Sequence, residues 1–118
     1  MAGLTTHVLD VTRGGPAGGV RIELYELGDR HARNLLAETA TNADGRTDRP
    51  LIAASDARKG RYELVFHAGD YFRRQGLSLA DPPFLDLIPV RFAIADPDAH
   101  YHVPLIVSPW SYSTYRGS

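Results

Sequence analysis

Cysteine is absent from this chain. Its absence excludes disulfides, thiolate nucleophiles and cysteine-ligated zinc, and it fits a reducing, cytoplasmic setting. An excess of one charge is missing too. Thirteen Lys and Arg stand against 14 Asp and Glu, a formal net charge of −1. That balance offers no pull toward nucleic acid or an anionic membrane surface, so neither is an expected partner. No apolar run approaches the roughly 20 residues that a membrane span needs. The first ten residues show no basic stretch followed by an apolar one, so no signal peptide is expected.

What is present suits a small folded domain. Of the 118 residues, 43% are hydrophobic and 23% charged, which is enough apolar material for a packed core. One domain spanning 1–118 is expected. A chain this short keeps a high surface-to-volume ratio, and self-association would add burial that one domain lacks.

Eleven Gly and eight Pro punctuate short apolar runs, the pattern of an all-β chain. Residues 5–12 read as a first strand, followed by a Gly-rich loop at 13–19. Residues 20–27 alternate, with Val20, Ile22 and Leu24 on one face and Arg21 and Glu23 on the other. A weaker strand at 32–41 leads into the turn Asn42-Ala43-Asp44-Gly45, read most simply as a hairpin connection. In the strand at 61–67, Tyr62, Leu64 and Phe66 share a side. Residues 69–75 form the one helix candidate, with Asp70 as a start cap and Gly76 as its end. Residues 84–95 alternate through Val90, Phe92 and Ile94, while Pro82, Pro83 and Pro89 place bulges or an edge there rather than a central strand. Strands at 100–108 and 111–115 finish the chain.

The strand at 100–108 is the most informative. Period two puts Tyr101, Val103, Leu105 and Val107 toward the core. The opposite face carries His100, His102, Pro104, Ile106 and Ser108, nearly uncharged where a solvated face would hold charges. The first strand is similar, with His7, Leu9 and Val11 together. Such faces are usually covered, either by another part of the chain or by a second subunit. A buried interface is also a common place for a ligand site.

His7, His100 and His102 have the residue types of a three-His metal site, but no carboxylate joins them and the spacing is equally that of structural histidines. No metal or other cofactor is expected. Acid–base chemistry suits them better. A neutral imidazole accepts a proton from water near pH 7, and an arginine holds developing negative charge. No Gly-x-Ser-x-Gly elbow is present to support a serine nucleophile. His31 and His67 lie near turns and read as surface residues.

Three segments together resemble one family. Leu4-Thr5-Thr6-His7-Val8-Leu9-Asp10 resembles the opening motif of the transthyretin-like 5-hydroxyisourate hydrolases. Thr41-Asn42-Ala43-Asp44-Gly45-Arg46-Thr47 resembles their second motif. The tail from Ala99 to Ser118, ending Tyr115-Arg116-Gly117-Ser118, resembles the third. The resemblance runs end to end, and the final four residues separate these hydrolases from transthyretin, the hormone carrier of the same fold. It implies a two-sheet, transthyretin-like (prealbumin-like) β-sandwich with one short helix, and a homotetramer built as a dimer of dimers. Active sites would lie in the channel between dimers.

The implied small-molecule substrate is 5-hydroxyisourate, hydrolysed without a cofactor to 2-oxo-4-hydroxy-4-carboxy-5-ureidoimidazoline in urate degradation. The resemblance implies catalytic His7, Arg46 and His102. It also implies a substrate pocket of His7, Arg46, Tyr115, Arg116 and Ser118, closed by the Ser118 α-carboxylate. Two departures touch none of these positions: the loop at 14–19 is unusually Gly-rich, and Trp110 replaces a smaller aromatic. A transthyretin-type carrier without catalysis is the rival reading. Tyr115 and Arg116 speak against it, because bulky groups there would narrow the channel.

Overall fold

The computed structural model describes residues 3–117. Ten strands and one α-helix run in the order β1 (Gly3–Thr5), β2 (Val8–Asp10), β3 (Gly15–Pro16), β4 (Arg21–Leu27), β5 (Arg33–Ala40), β6 (Gly60–His67), α1 (Ala68–Arg74), β7 (Leu87–Ile94), β8 (His100–His102), β9 (Leu105–Val107) and β10 (Tyr112–Thr114). One sheet has the order β5-β4-β6-β7 and the other β10-β9-β2-β3, with β1 and β8 paired beside it. This is the expected transthyretin-like sandwich with one short helix.

The core forms from alternate residues, as the sequence pattern requires. Ile22, Leu24, Leu64 and Phe66 are fully buried from one sheet, and Leu4, Val8 and Leu105 from the other. Tyr101, Val103 and Val107 are buried as well, so the whole tail strand keeps the expected parity. β7 carries Pro89 and, among the described residues, is an edge strand paired with β6 alone. An edge position tolerates the missing N–H of proline.

Five details differ from the sequence reading. The strand expected at 5–12 is two strands, β1 and β2, and that at 100–108 is also two, β8 and β9. The parallel register nevertheless runs unbroken, with Thr5 opposite His102 and Val8 opposite Leu105. The gap falls at Pro104, which has no N–H for a regular ladder. The turn at 42–45 is not a hairpin: β5 and β6 do not pair, because β4 lies between them. Asp70 does not cap α1. His67 holds that place without a side-chain cap, and Asp70 sits in the first turn, paired with Arg73 at 3.0 Å. Gly76 does follow the helix end, at φ +83°. Lastly, His67 is not an ordinary surface residue, since its half-buried ring donates from Nε2 to Glu23 Oε1 at 3.0 Å. That bond is the main reason the Glu23 carboxyl is held below its ordinary range.

The Gly-rich loop acquires a role from this arrangement. It folds back so that Gly15 and Pro16 pair with Asp10 and Leu9, and Gly14 and Gly19 both adopt positive φ. Asp10 is buried beneath it, accepting from Tyr71 Oη at 2.8 Å and from the Thr12 N–H at 2.9 Å. These contacts tie α1 to the end of β2.

Candidate active site

β1 and β8 supply the centre of the site. Parallel pairing sets Thr5 beside His102, and period two places His100 on the same face. All three side chains are half-buried. Thr5 Oγ1 lies 2.9 Å from His102 Nδ1 and 3.1 Å from His100 Nε2. One hydroxyl therefore bridges two imidazoles. The two ring nitrogens turn to that hydroxyl rather than to a shared point. Among the described residues no three His, Cys, Asp or Glu side chains cluster in a way that would hold a metal ion.

His7 follows on the short link between β1 and β2. Its carbonyl accepts from the Leu105 N–H at 2.9 Å, which locks the link against β9. Arg46 arrives from a turn built by Asn42. The Asn42 Oδ1 accepts from the N–H of Asp44 at 2.9 Å and of Arg46 at 3.2 Å. The Asn42 N–H donates to the Arg46 carbonyl at 2.7 Å. This is an Asx-type turn, in which the side chain replaces a backbone partner. Gly45 closes it at φ +75° and donates no bulk. A Cβ there would stand 3.2 Å from His7 Cδ2, so the turn is seated against the His7 ring.

The tail completes the arrangement from the other side. The Gly117 N–H donates to the His102 carbonyl at 2.7 Å, and a Cβ at Gly117 would meet His102 Cδ2 at 2.6 Å. The chain backbone thus lies directly against the imidazole. Arg116 stacks over the Tyr101 ring at 4.2 Å, and its guanidinium reaches the His100 carbonyl at 3.4 Å. Tyr115 is exposed and lines a groove of about 230 Å³ with Phe92, Val103 and Arg116. Within one chain, Tyr115 and Arg116 therefore face the gap between the two sheets' edges. Ser118 lies outside the described residues.

Electrostatics bind the separate parts together. Burial holds the His102 pKa below the ordinary histidine value, and the nearby Arg46, His100 and His7 lower it further. His102 is therefore a neutral imidazole at pH 7. Arg46, His100 and His7, distant from one another in sequence, thus all act electrostatically on one ring. A groove of about 180 Å³ runs from Thr5 and Thr6 past Arg46 to Pro50 and provides an approach. Neither this groove, nor the one at Tyr115, nor a larger one of about 310 Å³ at Glu26, Arg58 and Tyr62 has a histidine in its wall; the one at Thr5 differs in being lined by Arg46. The sign of the Arg46 effect gives a direct prediction. Removing the guanidinium in Arg46→Met should raise the His102 titration midpoint, read from its imidazole NMR shifts. An unchanged or lower midpoint would show that Arg46 does not reach this ring.

Thr5 escaped the sequence reading. Its alternation with His7 was visible, but its cross-strand partner lies 97 residues away and left no local signal. Asn42 was legible as a turn residue but not as the anchor of Arg46.

Comparison with known proteins agrees with this architecture. The chain is 60% identical over 115 residues to 5-hydroxyisourate hydrolase 2 of Rhizobium meliloti (strain 1021), covering 98% of this chain and 95% of that protein. A solved structure of (S)-allantoin synthase superposes with TM-score 0.90 and 49% identity, over 98% of this chain and 43% of the synthase chain. Transthyretin from Sparus aurata superposes with TM-score 0.86 and 27% identity, over 99% of this chain and 97% of that one. The model of the HIUase/Transthyretin family matches residues 4–117. A match of that extent, on a sandwich of this topology, means that the chain belongs to the HIUase/transthyretin family.

Proposed function

We propose that this protein hydrolyses 5-hydroxyisourate to 2-oxo-4-hydroxy-4-carboxy-5-ureidoimidazoline in urate degradation. The observation that carries the reading is the pair of half-buried imidazoles, His100 and His102, bridged by Thr5, with the turn that bears Arg46 seated against the His7 ring. Opening a cyclic amide requires three things. Water must lose a proton as its oxygen bonds the ring carbonyl, the resulting oxyanion must be held, and the nitrogen must gain a proton as its bond to carbon breaks. One imidazole carries the proton from water to the leaving nitrogen, the other offers a neutral N–H to the oxyanion, and Arg46 holds the anionic substrate with a charge it never loses. Tyr115 and Arg116 lead into Gly117, which lies against His102, and together with Ser118 they are assigned to shaping the pocket. None of these steps calls on a metal.

The carrier reading has less support. A carrier needs an open apolar channel, whereas this face presents histidines and an arginine. The first test is turnover of freshly generated 5-hydroxyisourate, followed by the loss of its ultraviolet absorbance. Hydrolysis well above the spontaneous rate is expected, unchanged by EDTA. Tight binding without turnover would favour the carrier, and loss of activity on chelation with recovery on adding zinc would favour a His7, His100 and His102 metal site.

A homotetramer, a dimer of dimers, fits the same reading. The half-buried Leu9 and Ile106 flank the histidines, and Val11, Trp110, Tyr112 and Tyr115 are exposed large apolar side chains. Such a surface is normally covered by another subunit. Sedimentation should give four times the chain mass at working concentration. A fully active monomer would overturn this assembly.

A further inference from the structure

The doubly engaged hydroxyl of Thr5 decides which nitrogen of His102 carries the proton. We infer that Thr5 is a positioning residue, accepting a hydrogen bond from His100 Nε2 and donating one to His102 Nδ1. His102 is thereby held as the tautomer with its proton on Nε2. The inference rests on the hydrolase reading for its kinetic consequences, but not for its structural content.

The argument starts from the hydroxyl's inventory. A threonine hydroxyl has one hydrogen to give and lone pairs to receive. With ring nitrogens at 2.9 and 3.1 Å, three proton orders exist. If both rings donate, the hydroxyl hydrogen has no acceptor among the described residues. If Thr5 donates to His100, the neutral His100 must carry its proton on Nδ1. That atom is buried without a hydrogen-bond partner among the described residues, and a buried N–H without an acceptor is the rarest and costliest of such defects. If Thr5 donates to His102, the His100 proton sits on Nε2 and is used. Nδ1 of His100 is then only a bare lone pair, the milder defect. The third order leaves the fewest unmet donors. His100, which is not among the residues assigned to catalysis, acquires a role as the group that points the Thr5 hydroxyl.

The consequence reaches the site through geometry. The Nδ1 edge of His102 is held by Thr5, and Gly117 lies against its Cδ2. Nε2 is the remaining nitrogen, and in this tautomer it is an N–H. His102 thus enters the reaction as a neutral N–H hydrogen-bond donor, with its ring kept neutral by burial and by Arg46. His7 is left to carry the proton. It takes the water proton as the new C–O bond forms and gives it to the leaving nitrogen as the C–N bond breaks, while the His102 Nε2–H steadies the oxyanion. His7 is then neutral again and His102 never changes charge.

The test has a spectroscopic arm and a kinetic one. Imidazole nitrogen NMR on the parent protein, above the histidine titration range, should show His102 protonated at Nε2 with an unprotonated Nδ1. Protonation at Nδ1 would overturn the inference, and this arm needs neither a variant nor turnover. In the kinetic arm, Thr5→Val keeps the shape and removes the hydroxyl. Outer partners that fix the tautomer of metal-bound histidines are worth about 10- to 100-fold, and a fall of that order is expected here, mainly in kcat with KM little changed. Thr5→Ser restores the hydroxyl and should restore most of the rate. A Thr5→Val protein with the parent kcat, or equal losses in Val and Ser variants, would overturn the role. If the parent protein itself fails to turn over 5-hydroxyisourate, the hydrolase reading fails while the tautomer result stands on its own.

Discussion

His7→Asn, Arg46→Ala and His102→Asn should each lower kcat/KM for 5-hydroxyisourate by at least about 100-fold, the lower end for loss of general acid–base help. The reason is that each removes a different requirement of one step. Without His7 the water proton has no acceptor and the leaving nitrogen no donor, without His102 the oxyanion loses its neutral N–H partner, and without Arg46 the substrate's negative charge has no fixed partner. Asparagine keeps a hydrogen-bonding edge but cannot exchange a proton near pH 7, so it separates polarity from acid–base function. The fold should survive all three changes. His7 and His102 are half-buried on the outer face and Arg46 is exposed, so none supports the sandwich core. Circular dichroism and sedimentation should match the parent. Folded variants that retain the parent kcat/KM would refute the mechanism. Pairwise combinations should cost less than the sum of single losses, because residues that act on one step are not additive.

The second large effect is expected at Gly45, where fold and site meet. Gly45→Ala should lower stability by roughly 2 kcal/mol or more, since a non-glycine residue held in a left-handed backbone costs about 1–3 kcal/mol before any clash is counted. Here a clash is certain unless the turn moves. The added Cβ would stand 2.4 Å from the Val8 carbonyl oxygen and 3.1 Å from Pro16 Cβ. That carbonyl accepts from the Ala17 N–H, and the Val8 N–H itself donates to the Gly45 carbonyl at 2.8 Å. Relief of the clash must therefore pull the turn off β2 and carry Arg46 with it. Thermal unfolding should occur several degrees lower, and kcat/KM should fall even at temperatures where the variant is folded. A variant with the parent Tm would show that the turn has more freedom than these distances imply. Lower stability with full activity would show that Arg46 reaches the site independently of the turn.

Much of this protein was legible from local chemistry. The alternation of Val20, Ile22 and Leu24, and of Tyr101, Val103, Leu105 and Val107, determined which faces are buried, because side chains on a strand have a period of two whatever the strand pairs with. Gly76 marked a helix end, and Pro89 spoke against a central strand, for equally local reasons. The unusual lack of charge on the faces of His7 and His102 pointed to the site, and the three motifs carried the resemblance that the family match then established.

Long-range pairing decided the rest. Nothing near Asn42 says that β5 will find β4 rather than β6, so the turn looked like a hairpin when it docks on β2 of the other sheet before the chain returns to β6. His67 looked like a surface residue because Glu23, its partner, lies 44 positions earlier. Thr5 looked like one more β-branched strand residue. Only the parallel register of β1 and β8 sets its hydroxyl between His100 and His102. Local sequence determines which way a side chain points, because that is settled by backbone geometry within a few residues. It does not determine what the side chain meets, because the partner is selected by the packing of the whole chain.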